Sequence, residues 1–260
     1  MTLMQAIILG IVEGITEFLP ISSTGHLILT SRLLGLSQTD FQKSFEIAIQ
    51  LGAIASVIVL YWRRFLELAV VSRVLVAFLP TGLIGLALYR IVKTYLFDSD
   101  VVVLWALGLG GVALIVFELL HREGDDAVAD VSSISYAKAF LIGVFQSLSM
   151  VPGVSRAGAT ILGGLFLGLS RTTIVEFSFL LAVPTMIAAT GYDLFRNASS
   201  FAPEQFGVLA AGLIASFVVA LLSIKFLLAF VRTRTFIPFG IYRIVIALAF
   251  ALVIYAPGPH

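Results

Sequence analysis

Four ionisable residues, Glu13, Glu17, His26 and Arg156, fall inside stretches that are otherwise apolar. Charge at membrane depth is expensive and as a rule functional, so the chemistry these groups could share comes first. Glu13 and Glu17 are four apart and lie on one helical face, and Ser23 and His26, three apart, lie on another. A hydroxyl nucleophile, a carboxylate base and an imidazole proton donor are the parts of a phosphoryl transfer, and Ser23, Glu17 and His26 can fill those roles, with Ser22, Thr24 or a directly attacking water as alternative nucleophiles. Arg156 adds a planar fork for phosphate oxygens. Ser22, Thr24, Gly153 and Ser155, beside the free N–H groups of helix starts, are further candidates to bind an anion. The Glu13/Glu17 pair could instead hold Mg²⁺ or Ca²⁺ against a diphosphate.

What must position these residues is a pair of interrupted helices. One break runs from Phe18-Leu19-Pro20 through Ser22-Ser23-Thr24-Gly25-His26, the other from Val151-Pro152-Gly153 through Ser155-Arg156. Proline stops the incoming helix, and a Ser or Thr can cap the outgoing one, so each segment reads as a re-entrant hairpin. Non-helical backbone at that depth has to be buried in protein or line a wet cavity. Full spans are predicted near 45–61, 74–95, 101–120, 173–195, 206–230 and 239–255.

The two halves resemble each other. Gly10-Ile11-Val12-Glu13 matches Gly143-Val144-Phe145-Gln146, and a proline precedes a serine by three positions in both breaks, which pairs Ser23 with Ser155. Glu46 and Glu176 are likewise mates, expected to hydrogen-bond the broken backbone. The fold expected is an all-α polytopic membrane protein of six transmembrane helices plus two re-entrant hairpins, arranged as an inverted-topology repeat in a single domain spanning 1–260. The first repeat covers about 1–121 with its hairpin at 1–36; the second covers about 136–256 with its hairpin at 136–170.

Composition agrees. The 260 residues are 60% hydrophobic and 12% charged, with a mean hydropathy of +1.08, outside the soluble range. A net charge of +1 without a basic run gives no reason to expect nucleic acid, and the absence of cysteine removes thiol chemistry. The first residues lack the basic region of a cleavable signal peptide, so the first apolar segment is expected to stay. Loops carrying Arg63, Arg64, Arg73, Arg122, Lys138, Arg171, Arg232 and Arg234 fall on one side, assigned to the cytoplasm by the positive-inside rule, which leaves both termini outside. Arg32, Arg90, Lys93 and Arg196 dilute that bias. The acidic stretch from Glu123 to Asp130 does not fit an EF-hand, Asn197-Ala198-Ser199 carries little weight as a glycosylation pattern, and Gly82, Gly85, Gly108, Gly110 and Gly111 read as close helix packing.

The run Glu13-Gly14-Ile15-Thr16-Glu17-Phe18-Leu19-Pro20-Ile21-Ser22-Ser23-Thr24-Gly25-His26 resembles the signature of the undecaprenyl-diphosphate phosphatase family, also called the bacitracin-resistance family, and Pro152 to Arg156 resembles its second motif. The likeness extends to Phe45-Glu46 through Gln50-Leu51-Gly52-Ala53 and to the order of spans. It implies hydrolysis of undecaprenyl diphosphate to the monophosphate carrier of cell-envelope synthesis, in the bacterial inner membrane, with a divalent cation and a site open to the periplasm. It implies Glu13 and Glu17 as the paired acids, Ser23 as nucleophile, His26 as proton-transfer residue and Arg156 as diphosphate anchor. The partners implied are the polyprenyl diphosphate lipid and the bilayer, with bacitracin competing for the lipid and a homo-oligomer left open. Ala157 departs from the family, which usually carries a second serine there. The rival expectation is a lipid-phosphate flippase, because many secondary transporters share this architecture. A carrier needs an anion anchor but not a nucleophile beside a base.

Overall fold

The computed structural model describes all residues except 38, 97–98, 122, 125–126, 198–204 and 256–260. Arg122, Asp98, the Asp125-Asp126 pair and most of the 196–204 loop therefore lie outside the described residues, as do the side chains of Arg90, Lys93 and Arg196.

Ten α-helices are assigned among the described residues: α1 (Leu3–Thr16), α2 (Ser23–Leu33), α3 (Asp40–Tyr61), α4 (Leu68–Tyr95), α5 (Asp100–Leu120), α6 (Tyr136–Ser147), α7 (Arg156–Phe166), α8 (Arg171–Asn197), α9 (Phe206–Val231) and α10 (Ile237–Tyr255). No strand is assigned among the described residues. Five of the helices, α3, α4, α5, α8 and α9, are long and apolar enough to cross a bilayer, so the chain is a multi-pass helical membrane protein. The sixth expected span, α10, has 19 residues, and its described apolar part runs from Ile237 to Leu252.

The short helices are short for local reasons. A capping box opens α1: the Thr2 hydroxyl accepts from Gln5 N, and the Gln5 side chain binds back to Thr2 N. It ends four residues before Pro20, and α6 gives way to a tight turn at Leu148–Met150 just before Pro152. The outgoing helices α2 and α7 have 11 residues each, too few to span.

Packing interleaves the halves. Helix α1 lies on α9 and α6 on α4; α3 contacts both α8 and α9, and α8 also contacts α4; α5 pairs with α10. Gly10 and Gly14 bring α1 close to the α9 backbone, where a β-carbon at Gly14 would stand 2.7 Å from Ser216 O. The core centres on Phe18, Phe177, Phe179 and Leu180, beside the first break. Outward-facing Leu83, Leu86, Leu109 and Leu222 make up an apolar exterior suited to lipid.

The helix ends are tied by polar contacts. At one end Arg64 binds Glu176 at 2.9 Å and reaches Asp130 at 3.7 Å, Arg73 donates to Ile134 O, and Arg171 grips Glu118 and Glu123. At the other, Arg32 pairs with Asp100 and Gln5 donates to Leu34 O.

Candidate active site

Both breaks turn on a residue with left-handed backbone. Ser22 has φ 71° and Ser155 φ 77°, the only non-glycine residues with positive φ among those described. Serine is not favoured there, and each costs about 1–2 kcal/mol, so the surrounding structure must hold the turn. The pairing by proline spacing is thereby corrected by one residue. Ser155 is equivalent to Ser22, each standing immediately before its outgoing helix, and Ser23 is equivalent to Arg156. The expected capping is met on one side only: Ser155 Oγ accepts from Gly158 N at 3.1 Å, whereas the Ser22 side chain makes no capping bond.

Three sequence-selected residues meet here. Ser23 Oγ donates to Glu17 Oε2 at 2.6 Å, and Arg156 Nη2 binds Glu17 Oε1 at 3.1 Å. Each oxygen of one carboxylate is thus engaged, one by a hydroxyl from the first break and one by the guanidinium from the second. Arg156 Nη1 donates to Ser178 O at 2.9 Å, and its Cζ stands 6.0 Å from the Phe18 ring centroid. All three side chains are largely withdrawn from solvent.

They border a cavity of about 150 Å³, which Ser22 and Thr24 also line from the first break and Gly153 and Ser155 from the second. The starts of α2 and α7 both open onto it, presenting N–H groups and positive dipole ends. Gln50 of α3, Met186 of α8, and Ser149 and Pro152 at the second break complete the wall. A larger cleft of about 410 Å³ lies by Arg171 and Arg232–Thr235; its carboxylate, Glu123, is paired with Arg171.

Two sequence candidates do not join this chain of hydrogen bonds. Glu13 is fully buried, and neither carboxyl oxygen finds a hydrogen-bond partner among the described residues; its charged neighbours are Glu17, Glu46 and Arg156. His26 has both ring nitrogens engaged elsewhere, Nδ1 with Ser22 O at 2.8 Å and Nε2 with Tyr242 Oη at 2.9 Å. Glu46 and Glu176 do not reach the broken backbone. Glu46 accepts from Ser31 and Gln42, and Glu176 from Arg64. Among the described residues no three His, Cys, Asp or Glu side chains gather closely enough to hold a metal ion.

The carbonyls of the breaks go instead to a residue that sequence reasoning missed. Arg243, in the middle of α10, is 1% exposed and spends all five N–H groups on main-chain oxygens. Nη1 donates to Pro20 O at 3.1 Å and Val154 O at 2.9 Å; Nη2 donates to Gly153 O at 3.0 Å and Ala106 O at 2.9 Å; Nε donates to Leu107 O at 3.2 Å. One guanidinium therefore fixes the two tips relative to each other and to α5. Gly110 makes room for it, since a β-carbon there would stand 2.7 Å from Arg243 Cζ. The signal was present in the sequence: Arg243 is the one charged residue between Phe239 and Tyr255.

The model of the family described as bacitracin resistance protein BacA matches residues 6–249. The chain belongs to that family. It is 53% identical over 252 residues to an undecaprenyl-diphosphatase of Sulfurihydrogenibium sp., covering 97% of this chain and 99% of that protein. A protein of the same description from Aquifex aeolicus is 51% identical, covering 96% and 98%. One from Campylobacter jejuni is 47% identical, covering 97% and 95%. The match takes in both breaks and α10 as far as residue 249, so Glu17, Ser23, Arg156 and Arg243 all lie inside the family region.

Proposed function

We propose that the two breaks form one phosphoryl-transfer site in which the first supplies the reacting groups and the second the anchor. The chain is an undecaprenyl-diphosphatase: it hydrolyses undecaprenyl diphosphate to undecaprenyl phosphate and inorganic phosphate, returning the lipid carrier to cell-envelope synthesis and conferring bacitracin resistance. The relatives described above are named undecaprenyl-diphosphatase, which leaves the flippase reading without support. The observation that carries the site assignment is the Ser23–Glu17–Arg156 chain of contacts at the cavity wall.

In this reading Arg156 and the starts of α2 and α7 take the diphosphate oxygens, with Ser22, Thr24, Ser155 and the Gly153 backbone beside them. Glu17 accepts the Ser23 proton as Oγ bonds to the terminal phosphorus; the anhydride bond breaks and undecaprenyl phosphate leaves. Water then attacks the phosphoserine phosphorus, the P–Oγ bond breaks, Glu17 returns its proton to Ser23 Oγ, and inorganic phosphate departs with the protons of the water. Direct attack by water, with Glu17 as base and Ser23 as a hydrogen-bond donor, is the variant. A divalent cation suits the orphaned Glu13 carboxyl, because such ions take one or two carboxylates and draw their other ligands from phosphate and water; its chemistry would be neutralisation of phosphate charge.

Six spans and two re-entrant hairpins in inverted repeat account for the packing. Exchanging the halves maps α1 on α9 to α6 on α4, and α3 on α9 to α8 on α4, while α3 with α8 and α5 with α10 map onto themselves. Gly10, Glu13 and Ser22 each have a counterpart 133 positions on, in Gly143, Gln146 and Ser155. The arginines gathered at the Arg64/Arg171 end favour the cytoplasm for that end, hence the periplasm for both termini and for the opening of the site.

Phosphate release from a polyprenyl diphosphate by detergent-purified protein tests the reading. Ser23→Ala is expected to lower kcat by at least about 10³-fold. Turnover near wild type in Ser23→Ala removes Ser23 as nucleophile and favours the water variant; no phosphate release by the wild type removes the reading altogether.

A further inference from the structure

We infer that Tyr242 is a positioning residue for the serine turn, acting through His26. The inference rests on the phosphatase reading and names how that site is held in register. A carbonyl oxygen can only accept, so the 2.8 Å contact between His26 Nδ1 and Ser22 O places a proton on Nδ1. In a neutral imidazole Nε2 is then bare, and it accepts the Tyr242 hydroxyl proton at 2.9 Å. The two ring planes are parallel to within 4°, with centroids 5.5 Å apart, so the rings also pack against each other beside the hydrogen bond.

The chain of contacts ends on strained backbone. The carbonyl that His26 holds belongs to Ser22, the left-handed residue immediately before Ser23. Fixing that carbonyl fixes the turn that aims Ser23 Oγ at Glu17. A tyrosine that merely marks the membrane surface would give its hydroxyl to water or a lipid headgroup. Tyr242 is 40% exposed, yet its hydroxyl turns inward to His26, which is 7% exposed. Its neighbour Arg243 binds Pro20 O of the same tip, so two consecutive residues of α10 brace the first break. His26 in this arrangement has no lone pair free for Ser23 and works as a strut; the anchor Arg156 lies on the other half and does not depend on it.

The chain contains three histidines, which makes the tautomer directly readable. With ¹⁵N-imidazole labelling in detergent, and His26 assigned by removing His121 and His260, wild type is expected to show a neutral Nδ1–H ring at His26. Tyr242→Phe is expected to admit the Nε2–H tautomer and to lower kcat about tenfold, with KM within about twofold. A wild-type ring that is Nε2–H or imidazolium overturns the inference, as does Tyr242→Phe with kcat within twofold of wild type. A wild type that releases no phosphate defeats the phosphatase reading instead and leaves the ¹⁵N result to stand or fall independently.

Discussion

Replacing Arg243 with methionine keeps most of the side-chain volume and removes five donors. Ala106 O and Leu107 O sit within α5 and keep their helical partners, but Pro20 O, Gly153 O and Val154 O have no backbone donor among the described residues. Three carbonyls are stranded, at about 1–3 kcal/mol each. The adjoining cavity lets water reach some of them, and removing a buried charge returns several kcal/mol. The net loss of stability is therefore expected at the low end, about 3 kcal/mol, or about 6–12 °C in thermal midpoint for a chain of this size. The catalytic loss should be larger in proportion. With the tie between tips gone, Arg156 and the Ser23–Glu17 pair drift, and a displacement near 1 Å costs about 10²-fold in rate. Arg243→Lys, with three donors from one point, should fall between. Phosphate release and thermal unfolding on the same detergent preparations measure both. Arg243→Met with turnover within about threefold of wild type and an unshifted midpoint refutes the clamp.

Three further changes separate positioning from chemistry. Gly110→Ala pushes the Arg243 guanidinium from its seat without touching any catalytic group, and should lower kcat at least about tenfold with KM little changed. Arg156→Lys cannot hold Glu17 Oε1 and Ser178 O together as the fork does; KM for the diphosphate is expected to rise about tenfold or more in steady-state assays. Glu118 lies outside the cavity, its side chain fully buried beneath Arg171 and accepting from Phe236 N; Glu118→Gln should lower the thermal midpoint, by roughly 1–3 kcal/mol in stability, while turnover per folded molecule stays unchanged.

The sequence made some of this legible for plain physical reasons. Spans announce themselves because lipid tolerates little else, and the breaks do because proline and adjacent hydroxyls stand out against leucine and valine. Glu17 and Arg156 were selected as charges out of place in lipid and Ser23 as the hydroxyl beside His26, and the fold brings the three into contact. Register was less readable. Proline marks where a helix stops, but the left-handed residue that starts the next one comes two positions after Pro20 and three after Pro152, so proline spacing paired Ser155 with the wrong serine. The roles of Glu46 and Glu176 were misjudged because side-chain partners were nearer than the broken backbone. The Arg243 clamp was hidden more deeply. Its partners are carbonyl oxygens, which every residue owns, and they come from three segments far apart in the chain.

That choice of partners bears on genetics. A contact between side chains can be repaired by a compensating substitution opposite the lesion, as Glu17 and Arg156 in principle allow. Arg243 has no such opposite number, because no mutation deletes or relocates a peptide carbonyl in place. Selections for revertants of an Arg243 lesion should therefore return arginine itself, or changes that shift the backbone of a whole tip, and leave contact positions silent.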